Sequence, residues 1–244
     1  MHNLPPSPWN RWVLAIVLPK LGCAPMTRLV LLLTFLVVPA VSSAQDSGLA
    51  FSSDDPLGSV VAPVMLPAGA TALYGYTGAP EVGVGFRQGI GGFEMEARGR
   101  FDWFKLGASL EVLGRKEVLR RGALQLAPSL GVGLVLNSGA TYMDDDNFSG
   151  VLVRILPGLV AGYRVADTVV LLGLVDLPID LGLTGDKQRR FQALGGAGVE
   201  VYLGSGLSLL AAGQLGVETF QERAGAGHTR LGFNARVGLG TRLF

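Results

Sequence analysis

Residues 91 to 101 read Gly-Gly-Phe-Glu-Met-Glu-Ala-Arg-Gly-Arg-Phe, and from Phe93 onward apolar or small residues alternate with charged ones. On an extended chain Phe93, Met95, Ala97 and Phe101 share one face, and Glu94, Glu96, Arg98 and Arg100 share the other. In a soluble sheet the apolar face would pack on a core while the charged face met water. Here the alternation recurs in about ten segments with no helical stretch to cover them, so the apolar faces need an apolar solvent. A lipid bilayer is that solvent.

Composition points the same way. The chain has 244 residues, 36 glycines, only 16% charged residues and a mean hydropathy of +0.41. A spanning helix needs about 18 or more consecutive apolar residues. Beyond residue 44 no run approaches that length; Val169 to Val175 is a short example. A hydrophobic chain without such a helix satisfies its backbone in lipid only as a closed barrel.

Near the start, Met26-Thr27-Arg28 precedes the apolar run Leu29 to Val38, then Pro39 and the small residues Val41-Ser42-Ser43-Ala44. This order is that of a secretory signal over 26–44, with cleavage near Ala44. Residues 1–25 read as an upstream extension ahead of a start at Met26. A lipoprotein signal built on Cys23 is disfavoured by Lys20 three positions before it. Cleavage removes Cys23, the one cysteine, and with it any disulfide or cysteine-based zinc site. It also removes Arg11, Lys20 and Arg28 but no acid, taking the formal charge from +1 to −2. Such a balance gives no footing for nucleic acid.

Pro63 and Pro67 mark residues 45–68 as a periplasmic lead-in segment rather than a ladder strand. From 69 to 244 the alternation predicts an all-β, closed, antiparallel up-and-down transmembrane barrel of about ten strands, eight if the first pair is discounted. The expected strands are 69–77, 80–88, 91–101, 102–113, 118–136, 148–164, 167–183, 189–203, 206–220 and 229–243, with turns at 101–102 and 114–117 among the connections. Long connections at 137–147 and 221–228 alternate with short ones such as Gly204-Ser205-Gly206, which puts the long ones outside and both termini in the periplasm.

Parity along each strand assigns the inner wall. Its acids are Glu81, Glu94, Glu96, Glu111, Asp176, Asp180, Glu200 and Glu218, and its bases are Arg87, Arg98, Arg100, Lys105, Arg121, Arg154 and Arg236. Near balance predicts mutual pairing that fills the lumen rather than a one-signed selective pore. Two aromatic girdles are expected, with Tyr76, Phe101, Trp103, Phe104, Phe148, Phe191 and Phe220 on one rim and Tyr163, Tyr202 and Phe244 on the other. Pro128 and Pro157 fall inside strands on outward positions.

On the alternation, the turn pattern, the signal and the terminal Phe244, residues 69–244 resemble the small outer-membrane β-barrel proteins of Gram-negative bacteria, of the OmpA/OmpX-like or OmpW-like general plan. The resemblance implies outer-membrane lipid as surroundings and the barrel-assembly machinery as a partner, with Phe244 as its assembly signal. Val237 and Leu239 are out of phase with Phe244, a departure from the family's terminal pattern. Lipid-modifying barrels of this size class use His with Ser. After cleavage His228 alone remains, beside Thr229 and with no His-x-Ser spacing, so no catalytic role is assigned. Asp144-Asp145-Asp146-Asn147 offers hard oxygen atoms without calcium-loop spacing, and Gly195-Gly196-Ala197-Gly198 lacks the lysine ending of a phosphate loop. No cofactor or metal is expected. The sequence reading is a structural or surface-exposed barrel with a charge-filled lumen; a narrow pore or carrier for small or apolar solutes is second and a lipid-modifying enzyme third.

Overall fold

The computed structural model describes residues 60–61, 66, 68–90, 92–140, 149–183, 188–221 and 227–243. The signal at 26–44, the extension at 1–25, most of the lead-in, Asp144 to Phe148 and Phe244 lie outside the described residues. Those described form β1 (Thr71–Ala79), β2 (Glu81–Ile90), β3 (Phe93–Asp102), β4 (Gly107–Arg115), β5 (Leu119–Arg121) and β6 (Leu124–Ser138). The second half forms β7 (Ser149–Ala166), β8 (Val169–Asp176), β9 (Ile179–Gly182), β10 (Arg189–Gly204), β11 (Leu207–Gln221) and β12 (Gly227–Leu243). No helix occurs among the described residues.

Every pairing is antiparallel, and β12 returns to β1 with Leu243 opposite Thr71 and Ala235 opposite Ala79. The ring is therefore closed. β8 and β9 are successive lengths of one stave between β7 and β10, and β5 prolongs β4 along β6. The wall thus has ten staves. The eight-stave alternative fails because β1 and β2 pair from Thr71–Gln88 to Tyr76–Gly83.

Alternation sorts the wall. Leu110 is 73% exposed, Leu231 70% and Leu215 64% on the outer face, whereas Glu111, Gly232 and Gln214 beside them in sequence are buried. An outer surface this apolar is stable only in an apolar surrounding.

Two turns stand elsewhere than the sequence indicated. β3 runs on to Asp102, which pairs with Gly107, so the connection is Trp103–Leu106 and not 101–102. The Asp102 carboxylate accepts the Phe104 and Lys105 backbone N–H groups at 3.0 Å, and the Trp103 indole donates to the Gly78 carbonyl. An aspartate turn of this kind needs no glycine or proline, which hid it. The second turn lies at Gly122-Ala123, where Gly122 has φ 55°, and not at 114–117.

Both in-strand prolines sit opposite breaks. Arg115 pairs with Ser129 but Leu119 pairs with Leu126, so the 116–118 stretch carries one residue more than the facing segment. Pro128 lies there, its carbonyl accepting from Lys116, and its missing N–H falls where the ladder is already interrupted. Pro157 faces Leu177 in the gap between β8 and β9, again with its carbonyl taken by that residue.

The aromatic girdles are also only partly as expected. Phe101 and Tyr163 are exposed, but Tyr76 and Phe220 are buried inside the barrel, at 8% and 2% exposure. Tyr202 packs against the inner cluster and its hydroxyl accepts the Gly206 N–H. Tyr74 and Tyr76 lie across the neighbouring stave, where a side chain at Gly85 or Gly83 would strike their rings at 2.2 and 2.6 Å. These two glycines make the inward tyrosines possible.

Candidate functional site

The barrel interior has two layers. Toward the rim carrying the long connections, a charged lattice runs almost around the wall. Glu218 on β11 accepts from Lys105 at 3.1 Å, Arg230 at 2.7 Å and Gln192 at 2.8 Å. Arg190 bridges Glu218 to Asp180, and Arg154 holds Asp180 in a two-point clamp at 2.6 and 2.9 Å. Arg154 also donates to Glu111 at 3.1 Å, reaching across Gly133, where an added Cβ would stand 2.7 Å from the Glu111 side chain. Glu111 further accepts from Arg98 at 2.6 Å and from Arg100, and Arg100 passes on to Glu81 at 3.0 Å. Glu81 completes the circuit with Tyr76 and with Asn234 on β12. Lys105, from the β3–β4 turn, ties that turn directly to β11.

Toward the opposite rim the fill is apolar. Val60, Tyr74, Tyr76, Val160, Val170, Leu172, Leu174 and Leu210 form one buried cluster. Val60 and Val61 precede the first strand, yet they enter the barrel. The Glu200 carboxylate accepts both of their N–H groups, at 2.8 and 3.1 Å, and also takes the Ser208 hydroxyl. Arg115 donates to the Val61 carbonyl and to Glu96, which in turn accepts the Tyr74 hydroxyl. Glu94, clamped by Arg87 at 2.7 and 2.9 Å, accepts the Leu66 N–H. Val60, Val61 and Leu66 are therefore held at the inner mouth by two carboxylates, Glu200 and Glu94, and by the Arg115 guanidinium.

Within the charged lattice, lined by its own members such as Glu81, Arg98, Arg154, Arg190 and Glu218, lies a cavity of about 250 Å³. Beneath it the residues around Val60, Tyr74 and Leu210 leave about 30 Å³, about one water's share of liquid volume.

Of the charges assigned to the inner wall from sequence, Glu81, Arg87, Glu94, Glu96, Lys105, Glu111, Arg154, Asp180, Glu200 and Glu218 are buried. Arg98, Arg100, Asp176 and Arg236 are half-buried. Arg121 is a correction: all three residues of β5 are exposed, because β5 pairs along β6 beyond the last β3 partner of β4 and has no enclosed interior beside it. Arg115, Arg190 and Arg230 were missed. Arg190 and Arg230 share parity with Gln192 and Asn234, so the signal was present; Arg115 was hidden by the misplaced turn. His228 is exposed on the rim as the ladder partner of Phe220. Gly195 to Gly198 lie within β10. Among the described residues no cluster of three or more His, Cys, Asp or Glu side chains could hold a metal ion.

No protein-family model and no curated protein sequence matches the chain. Among solved structures it is similar to the outer membrane protease OmpT from Escherichia coli, at 10% identity and a TM-score of 0.36 over 72% of this chain and 94% of that one. It is also similar to KdgM porin, at 10% identity and a TM-score of 0.33 over 72% and 99% of the two chains. The KdgM porin in complex with disordered oligogalacturonate gives 10% identity and 0.34 over 72% and 99%. Likenesses this distant carry no residue's role across.

Proposed function

We propose that the chain is an integral outer-membrane barrel of the small Gram-negative type that does not conduct and has a structural or surface-exposed role, with no catalytic activity. In this reading residues 26–44 direct export, cleavage occurs near Ala44, and the barrel-assembly machinery inserts the chain through a signal that includes Phe244. The long connections face outside.

One observation carries the proposal: the inner mouth is filled by Val60 and its apolar cluster while charges above it are spent on each other. A continuous water path would have to open both layers. Opening the charged layer breaks several short charge-assisted hydrogen bonds at once, among them the two-point Arg154–Asp180 clamp and Arg98–Glu111. The outward band of Leu, Val and Phe supports the membrane setting.

Planar-bilayer recording tests the reading. The unmodified protein is expected to give low or no steady conductance, and Arg98→Ala or Arg154→Ala to raise leak by removing a lattice partner. Large, stable, ion-selective channels from the unmodified protein would overturn it in favour of the narrow pore or carrier, a reading that the 250 Å³ cavity favours over a lipid-modifying enzyme.

A further inference from the structure

The cavity wall carries seven cationic side chains and four carboxylates. Six of the seven cations donate to a carboxylate. Arg236 is the exception. Among the described residues none of its N–H groups meets an acceptor and its Nε is enclosed with none; it lies within electrostatic reach of Glu81, beyond bonding distance, and its guanidinium is 5.8 Å from the centre of the Tyr76 ring. A similar asymmetry marks the acids. Asp176 accepts from the Gln214 amide at 2.8 Å but has no cation within 4.0 Å among the described residues.

Arg236 and Asp176 also occupy the same level. Both line the cavity and both line the 30 Å³ void beneath it, so they stand on the cavity floor, where the charged layer meets the apolar one. They project from β12 and β8, two staves separated by β10 and β11.

Arg236 has the Glu81 charge and the Tyr76 ring nearby but no acceptor for its N–H groups, and Asp176 has an amide donor but no cation, so a ligand that supplies the missing acceptor and the missing cation is favoured. A simple anion would satisfy Arg236 while meeting Asp176 as a like charge; a simple cation would do the reverse. Only a molecule with both signs satisfies both, and the like-charge contacts discriminate against either half alone. A carboxylate also fits the planar guanidinium fork, and an ammonium group gives a carboxylate its donors.

We propose that this cavity is a binding site for a small zwitterion of the α-amino acid class, with Arg236 receiving its carboxylate and Asp176 its ammonium group. The site goes beyond the closed-barrel reading and does not depend on conductance, so failure of one leaves the other standing.

The test is calorimetric or saturation-transfer titration of the folded barrel in detergent with glycine, acetate and methylammonium. Glycine is expected to bind at least tenfold more tightly than either single-charge probe. Arg236→Gln and Asp176→Asn should each lower glycine affinity at least tenfold, and Asp176→Asn should narrow the gap between acetate and glycine. Unboiled migration on a denaturing gel verifies that each variant is folded; if one is not, the three-probe comparison on the unmodified protein decides. Absence of glycine binding, equal binding of acetate, or glycine affinity unchanged in both folded variants would overturn the proposal.

Discussion

The two layers of the interior share one wall and differ in what fills it. In the charged layer Glu111 alone serves Arg98, Arg100 and Arg154, and its side chain is 0% exposed. In the apolar layer the charges at the margin also bind backbone, as Glu200 does at the Val60 and Val61 N–H groups and Glu94, paired with Arg87, does at Leu66. The difference teaches that charge inside this barrel has two uses: above, to satisfy other charge; below, to hold the backbone of Val60, Val61 and Leu66 as well. A lattice of the first kind is stiff because every member depends on several others. The second is a latch, with Glu200 at its centre and Glu94 holding Leu66.

Substitution at the hub of the upper layer should have the largest effect. Glu111→Ala takes one carboxylate from each of three guanidinium groups, leaving Arg98 with Glu96, Arg100 with Glu81 and Arg154 with Asp180, and breaking a buried pair from one side costs about 3–5 kcal/mol. Urea unfolding of the barrel in lipid vesicles, followed by Trp103 fluorescence, is expected to show a loss of that size; a loss below about 1 kcal/mol, the surface-pair range, would mean that the lattice is not the stiff element.

The latch should respond differently. Glu200→Ala leaves the Val60 and Val61 N–H groups without an acceptor, at about 1–3 kcal/mol for each buried group left so. Because the segment can leave while the ring stays closed, most of that cost is expected as release of residues around Val60 rather than as barrel unfolding. Limited proteolysis from the inner side should then cut near Val61 with the barrel intact, and protection equal to that of the unmodified protein would remove the distinction between latch and lattice.

The smallest effect is expected where charge meets water. Arg120 and Glu117 form a two-point pair at 2.6 and 2.7 Å, but Arg120 is 47% exposed. Exposed pairs contribute about 0.2–1 kcal/mol. Arg120→Ala should therefore move the same unfolding curve by less than any interior change, and a shift as large as that of Glu111→Ala would erase the contrast between enclosed and exposed charge.

Parity made much of this legible. Phe93 to Phe101 names the two faces of β3, and the same rule carries through β11 and β12, where Leu215 and Leu231 look out while Glu218 and Asn234 look in. Turns were legible where a glycine forces them, as at Gly204 to Gly206 with φ 96° and 79°. They were not legible at Asp102, where the turn is made by a side chain accepting two backbone N–H groups, nor at Arg115, whose β4 position depends on the displaced turn.

What the sequence by itself determined is the barrel, because a period-two pattern leaves each residue one of two faces and lipid penalises the wrong choice. What only the tertiary structure decided is the content of the lumen. Which carboxylate meets which guanidinium depends on stagger between staves far apart in the chain, as when Lys105 reaches Glu218. The inward turn of Tyr76 depends on Gly83 of the next stave, and the entry of Val60 on Glu200, 140 residues away. Alternation says which way a side chain points; only closure of the ring says what it meets there.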